Sequence, residues 1–352
     1  MASVWFRLLF WISLITFVFG QDAPSSGADE CASQPIEDYN MPMRIGSLFI
    51  ILITSALGVF SPMILHHISP YDHGGVRDWI LTVGKFFGTG VILATAFVHM
   101  LPDAMENFSS KCLTAGWLSY GAFAGVFCML ASFALQLLEL VAFSRMQTIR
   151  KAKKQNNGGE ESAKPTLENH TDDATYIGHV HSAGFLEDEE EAFKHIGTFI
   201  LELGIMMHSV IIGITLSVTD NDEFKTLLIA LVFHQFFEGI ALGTRINELN
   251  YKSWGKPVVM GLVYIVTTPV GVAIGIGIHS SFNPNSYSSV LSQAILDSLS
   301  AGILLYNAYV SLMSMEISHS ARFHGSALSR KIVCFLSMYI GAGLMSLIGE
   351  WA

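Results

Sequence analysis

The twenty residues from Ile45 to Ile64 read IGSLFIILITSALGVFSPMI and contain no Asp, Glu, Lys, Arg or His. At 1.5 Å per residue, a helix of that length is about 30 Å long, the thickness of the hydrocarbon core of a bilayer. Hydrocarbon offers no partner to a bare N–H or C=O, so such a run must satisfy its own backbone as a helix. Seven comparable runs follow, at Trp79–Leu101, Trp117–Phe143, His195–Val218, Phe224–Thr244, Pro257–Ile278, Ser288–Met313 and Ile332–Gly349. The expected fold is an all-α polytopic membrane protein with eight transmembrane helices. Composition agrees, since 51% of the 352 residues are hydrophobic and 14% are charged, against about 25% charged in a soluble domain. Mean hydropathy is +0.47. A net charge of -10 with no basic stripe argues against nucleic acid as a partner.

Before the first run, Arg7 precedes the apolar stretch Leu8 to Phe19 and then Gly20, the pattern of a cleaved secretory signal peptide over residues 1–20. Residues 21–43, rich in Ser, Pro, Asp and Glu, read as an extracellular tail. Starting outside and crossing eight times places fourteen of the nineteen Lys and Arg on the inner side. Only Arg44, Lys111 and Lys225 fall outside. Basic residues collect on the cytoplasmic side, so both the N- and C-termini are expected to be extracellular; a signal peptide leads to the plasma membrane or to an internal organelle, and the plasma membrane is the expected location.

On this topology, residues 44–143 hold helices one to three, 144–194 form a cytoplasmic variable loop, and 195–352 hold helices four to eight. The loop is basic around Arg150 and Lys151, acidic from Glu187 to Glu191, and has the composition of a disordered linker. Within it, His179 and His181 are candidates for collecting metal. Cys31 and Cys112 both fall outside, where an oxidising compartment permits a disulfide, whereas Cys128 and Cys334 lie within spans as packing residues.

Ionisable residues inside a bilayer are expensive and therefore mark a pathway or a pairing that offsets the cost. Here they gather in spans four and five. Span four carries Glu202 and then His208-Ser209, and span five carries His234-Gln235 and Glu238. His234 and Glu238 are four residues apart and stack on one helix face. With His208 on the partner helix, two imidazoles and a carboxylate meet near mid-membrane, a donor set suited to zinc or iron(II) and poorly suited to alkali ions or magnesium. Ser209 and Gln235 add neutral oxygens. Gly204, Gly213, Gly239 and Gly243 are expected to let these two helices approach closely. On span two, His99 and Asp103 share a face at the outer mouth, with Glu106 one turn on. Asp297 on span seven, on the face of Gln293, is a further pathway candidate.

The paired motifs His208-Ser-Val-Ile-Ile-Gly213 and His234-Gln-Phe-Phe-Glu-Gly239, preceded by Phe86-Phe-Gly-Thr-Gly-Val-Ile-Leu-Ala-Thr-Ala-Phe-Val-His-Met-Leu-Pro-Asp-Ala104, resemble those of the ZIP (Zrt/Irt-like) transporters, in particular the fungal and plant zinc-iron uptake branch. The resemblance covers nearly the whole chain. It implies an eight-helix fold with both ends outside, a homodimer, and movement of a divalent metal toward the cytosol. The primary ligands would be His208, His234 and Glu238. Zinc, iron(II) or manganese(II) would be substrate, and no cofactor is implied. Many members carry a carboxylate where this chain has Ile212, which puts a second metal position in doubt. Two rival functions share some features. An intramembrane zinc-dependent hydrolase would be favoured by a His-Glu-x-x-His element, which the chain lacks. A multi-span receptor would use the long inner loop but leave the polar cluster in spans four and five without a purpose.

Overall fold

A computed structural model describes residues 31, 39–68, 75–157, 174–249, 251, 253–280, 283–318 and 320–350. The signal peptide and most of the proposed tail lie outside these residues. Among the described residues every regular element is helical. Among the described residues eight helices are long and apolar enough to cross a membrane: Met41–His67, Asp78–Phe108, Phe123–Val141, His195–Val218, Glu223–Asn247, Gly255–Ile278, Tyr287–Ser318 and Leu328–Ile348. They are spans one to eight below.

The largest differences from the sequence reading are three. Span three begins at Phe123, and the preceding Ala115–Leu118 is a separate single turn. Trp117 is apolar for another reason: its ring packs on Phe108 and Phe123, and its Nε1 donates to the Tyr287 hydroxyl at 3.1 Å. Span two runs on to Phe108, which carries Asp103 and Glu106 on the helix. The described parts of the inner loop are helical, not an extended linker, because the helix of span three continues to Asn157 and that of span four starts at Ala174. Lys, Ala, Gln and Glu are good helix formers, and a helix already nucleated in the membrane is extended without a new nucleation cost.

Spans four and seven form the centre of the bundle, with 72% and 67% of their crossing windows buried, whereas span three has 22% and span eight 28%. Span one packs on spans five and six, span two on five and eight, span three on seven, and span four on six and seven. The small residues serve these interfaces and not a contact between spans four and five. A β-carbon on Gly213 would meet the Thr268 carbonyl oxygen of span six at 2.5 Å, and one on Gly204 would meet Ile303 of span seven at 2.6 Å. Gly239 and Gly243 lie against Gly58 and Val59 of span one. Span six remains one helix through Pro269.

The two ends of the bundle are tied differently. At one end Cys31 and Cys112 are joined by a disulfide, and the Asn283 side chain donates to the Cys31 carbonyl at 2.8 Å. At that same end the buried Arg44 donates to the Thr219 carbonyl and lies 3.8 Å over the Phe224 ring, joining the start of span one to the turn between spans four and five. At the other end Lys85 pairs with Glu248 and Glu316, and Arg330 bonds Asp78 at 2.7 Å.

Candidate metal centre

Span two changes geometry at the centre. Residues Thr95–Met100 form a π-helical segment between α-helical Val76–Ala94 and Leu101–Phe108, an arrangement that concentrates at functional sites. Pro102 lacks an N–H and so cannot complete the backbone ladder just beyond it. The segment carries His99 inward, where it is 3% exposed. His208 and His234 are equally buried on spans four and five.

These three imidazoles form one cluster. Ring centroids are 5.2 Å apart for His99 and His208, 5.5 Å for His99 and His234, and 5.5 Å for His208 and His234. A point equidistant from the three lies about 3 Å from each, as expected for an ion held at about 2 Å by one nitrogen of each ring. Each imidazole has its own carboxylate: Asp103 at 3.5 Å from His99, Asp297 at 3.7 Å from His208, and Glu238 at 3.8 Å from His234. These separations exceed a hydrogen bond. They lie near the spacing of about 3.3 Å between two donors on one tetrahedral zinc. Among the described residues no three His, Cys, Asp or Glu side chains already close around one ion position, so the cluster is an assembly of neighbouring donors and not a finished coordination sphere.

These groups are buried without hydrogen-bond partners on the protein. Both nitrogens of His208 and His234, Nε2 of His99 and both oxygens of Glu238 have none, nor do Ser209 Oγ and Gln235 Oε1. A buried polar atom left unsatisfied costs about 1–3 kcal/mol, so a cluster of them is a site built for something else to bind. The Gln235 nitrogen is committed elsewhere, donating to Ser55 Oγ at 3.2 Å and to Thr268 Oγ1 at 2.6 Å. Only its oxygen remains as a donor to a metal. Tyr264 donates to the Gln235 backbone carbonyl at 2.6 Å and holds this part of span five against span six.

A cleft of ≈ 210 Å³ leads to the cluster, lined by His99, Asp103, Glu106, Asn107, His208, Ile211, Ile212, Thr215, Leu227, Gln293 and Asp297. It opens at the end that carries the disulfide. The cleft thus brings together the residues read from span two, His208 and Asp297. Glu202 is buried on span four but lies six residues, about 9 Å, before His208 and away from the cleft. The side chains of His179 and His181 lie outside the described residues. Sequence reading put His99 at the outer mouth with Asp103, while the fold puts it in the central cluster. The π-helical segment that brings it there has no signature in the spacing of the residues. Ile212, where a carboxylate was noted in relatives, lines the cleft and packs with Ile51, Leu216 and Val272.

A sequence model of the family described as ZIP Zinc transporter matches residues 41–349. Among similar proteins, Zinc-regulated transporter 1 of Candida albicans is 36% identical over 90% of this chain and 62% of its own length. Zinc-regulated transporter 2 of Saccharomyces cerevisiae is 30% identical over 94% of this chain and 99% of its own length. Fe(2+) transport protein 1 of Arabidopsis thaliana is 32% identical over 97% and 94% respectively. The chain therefore spans under two thirds of the Candida protein and nearly the whole of the other two. A family match over most of the chain, eight membrane-length helices and a buried donor cluster agree, and the chain belongs to the ZIP zinc transporter family, whose members are transporters and not enzymes.

Proposed function

We propose that the protein takes up zinc(II), with iron(II) and manganese(II) as competing substrates, toward the cytosol through His208, His234 and Glu238, with His99 as a third imidazole. The observation that carries this reading is the cluster of buried imidazole and carboxylate atoms with no protein partner. A hydrated ion enters the cleft past Glu106 and Asp103, exchanges water for imidazole nitrogen, and leaves past Glu202 toward the variable loop over 144–194, where His179 and His181 receive it. Ser209 and the Gln235 oxygen supply neutral donors. Binding must be firm enough to replace water and loose enough to release. Ligand atoms must be deprotonated to hold the ion, so acid competes with the metal.

Entry from outside is supported by the strong excess of Lys and Arg on the opposite side. It is also supported by the Cys31–Cys112 disulfide at the cleft end, since disulfides persist in oxidising compartments. On this reading both termini are extracellular, residues 1–20 are a cleaved signal, and the protein sits in the plasma membrane. A homodimer is the assembly that the family resemblance implies. The outward faces of spans three and eight, with Leu137, Leu140 and Tyr339 exposed, suit lipid or a second copy.

The test is radiolabelled zinc uptake by cells expressing wild type or His234→Ala at matched surface levels, with iron(II) and manganese(II) as unlabelled competitors. Uptake by wild type, lost in the variant, supports the site, and the competition ranks the metals. Equal uptake by both would make His234 a packing residue.

A further inference from the structure

We propose that Lys85, Glu248 and Glu316 form the gate that shuts the metal path at the end opposite the cleft, and that their ion pairs separate once in each transport cycle. The inference rests on the transport reading above and adds a device to it. Lys85 Nζ sits between Glu248 Oε1 and Glu316 Oε2 in direct ion-pair contact with both, and Arg245 pairs with the same Glu248. Two positive and two negative groups thus balance in one cluster contributed by spans two, five and seven.

These are also helices that carry the metal donors. On span two His99 is fourteen residues beyond Lys85, and on span five His234 is fourteen before Glu248, each about 21 Å along the helix. On span seven Asp297 is nineteen residues before Glu316. Each helix therefore holds a donor toward the cleft and a gate charge at its far end. Glu316 also rides on a second π-helical segment, Asn307–Ser318, a geometry that concentrates at functional sites.

Between the donors and the gate, spans two and five are in close contact. Gly88 of span two lies against Ala241 of span five so closely that a β-carbon would meet the Ala241 Cα at 2.7 Å, and Gly84 faces the Thr244 methyl at 3.5 Å. An ion held at His234 that leaves along this seam requires spans two and five to part, and the Lys85–Glu248 pair spans the seam. The pair is suited to reversible separation. The side chains of Lys85, Glu248 and Glu316 are 22%, 15% and 21% exposed, so water can reach and hydrate the charges as they separate, whereas a fully dry pair would resist separation.

The experiment reads accessibility of the seam directly. Thr244→Cys is introduced into full-length protein carrying Cys128→Ser and Cys334→Ser, and a membrane-impermeant charged maleimide is added from the face of the 144–194 loop. With Lys85 present, labelling is expected to be slow. Lys85→Gln and Glu316→Gln should each raise the labelling rate about tenfold or more, and Lys85→Arg, which keeps the charge, should leave it slow. Equal labelling in the parent and both Gln variants overturns the gate, as does fast labelling in Lys85→Arg. Labelling requires no metal movement, so the two readings fail separately. If the seam opens as expected but the parent with Thr244 intact takes up no zinc, the transport reading falls and the opening is not a step of transport.

Discussion

Replacing His99 by Phe separates a metal donor from a packing residue, because the two roles predict opposite signs for stability. His99 is 3% exposed, its Nε2 has no hydrogen-bond partner, and its Nδ1 is 3.5 Å from Asp103, beyond a good hydrogen bond. A phenyl ring of similar shape removes an unsatisfied buried nitrogen whose cost is about 1–3 kcal/mol, so metal-free protein should become no less stable and gain up to that amount. Its melting temperature should rise on the order of 2 °C per kcal/mol.

The metal-bound state should respond in the other direction. Zinc held by four protein donors is worth about 10–16 kcal/mol, so one donor is worth roughly 3 kcal/mol. At 1.4 kcal/mol per tenfold, losing one raises the zinc concentration for half-maximal uptake on the order of 100-fold. The assay is zinc uptake across a concentration series at matched surface expression, paired with thermal unfolding in detergent with chelator and with zinc. Zinc should raise the melting point of wild type and leave the variant nearly unmoved. A variant that is destabilised by several kcal/mol without metal, or that keeps the wild-type half-saturation within twofold, would refute the assignment of His99 to the site.

Two further outcomes are expected. Gly239→Ala places a methyl 2.9 Å from the Val59 nitrogen and 3.0 Å from Gly58 Cα, so span one must move away from span five. A loss of about 1–3 kcal/mol is expected in thermal unfolding, while Gly277→Ala, which has no atom within 4 Å, should be tolerated. The Cys31–Cys112 bridge closes an 81-residue separation, for which loop entropy gives a stabilisation of about 4.5 kcal/mol. Cys31→Ser, Cys112→Ser and the double variant should therefore lower the melting point by the same amount, and reductant should lower only the wild type.

The bilayer made much of this protein readable in one dimension. A run such as Ile45–Ile64 has a single solution in hydrocarbon, so the eight helices follow from composition and length alone. The pairing of His234 with Glu238 is equally local, because four residues return a helix to the same face. Helical periodicity tells which residues share a face and is silent on which faces meet. Gly213 and Gly239 therefore read as a contact between spans four and five, although one lies against span six and the other against span one.

The same limit applied to charge. Lys85 in the sequence is a lone cation within a span, and only packing brings it to Glu248, 163 positions away, and to Glu316. His99 is the clearest case. Spacing tied it to Asp103, its own next turn, while the π-helical segment and the crossing of spans two, four and five carried it to His208 and His234. What the sequence determined by itself was the set of helices and the donors on each, since these depend on neighbours within a turn. The donor cluster, the cleft and the ion pairs of the far end were decided by tertiary structure, because they depend on close packing between segments that are far apart in the chain.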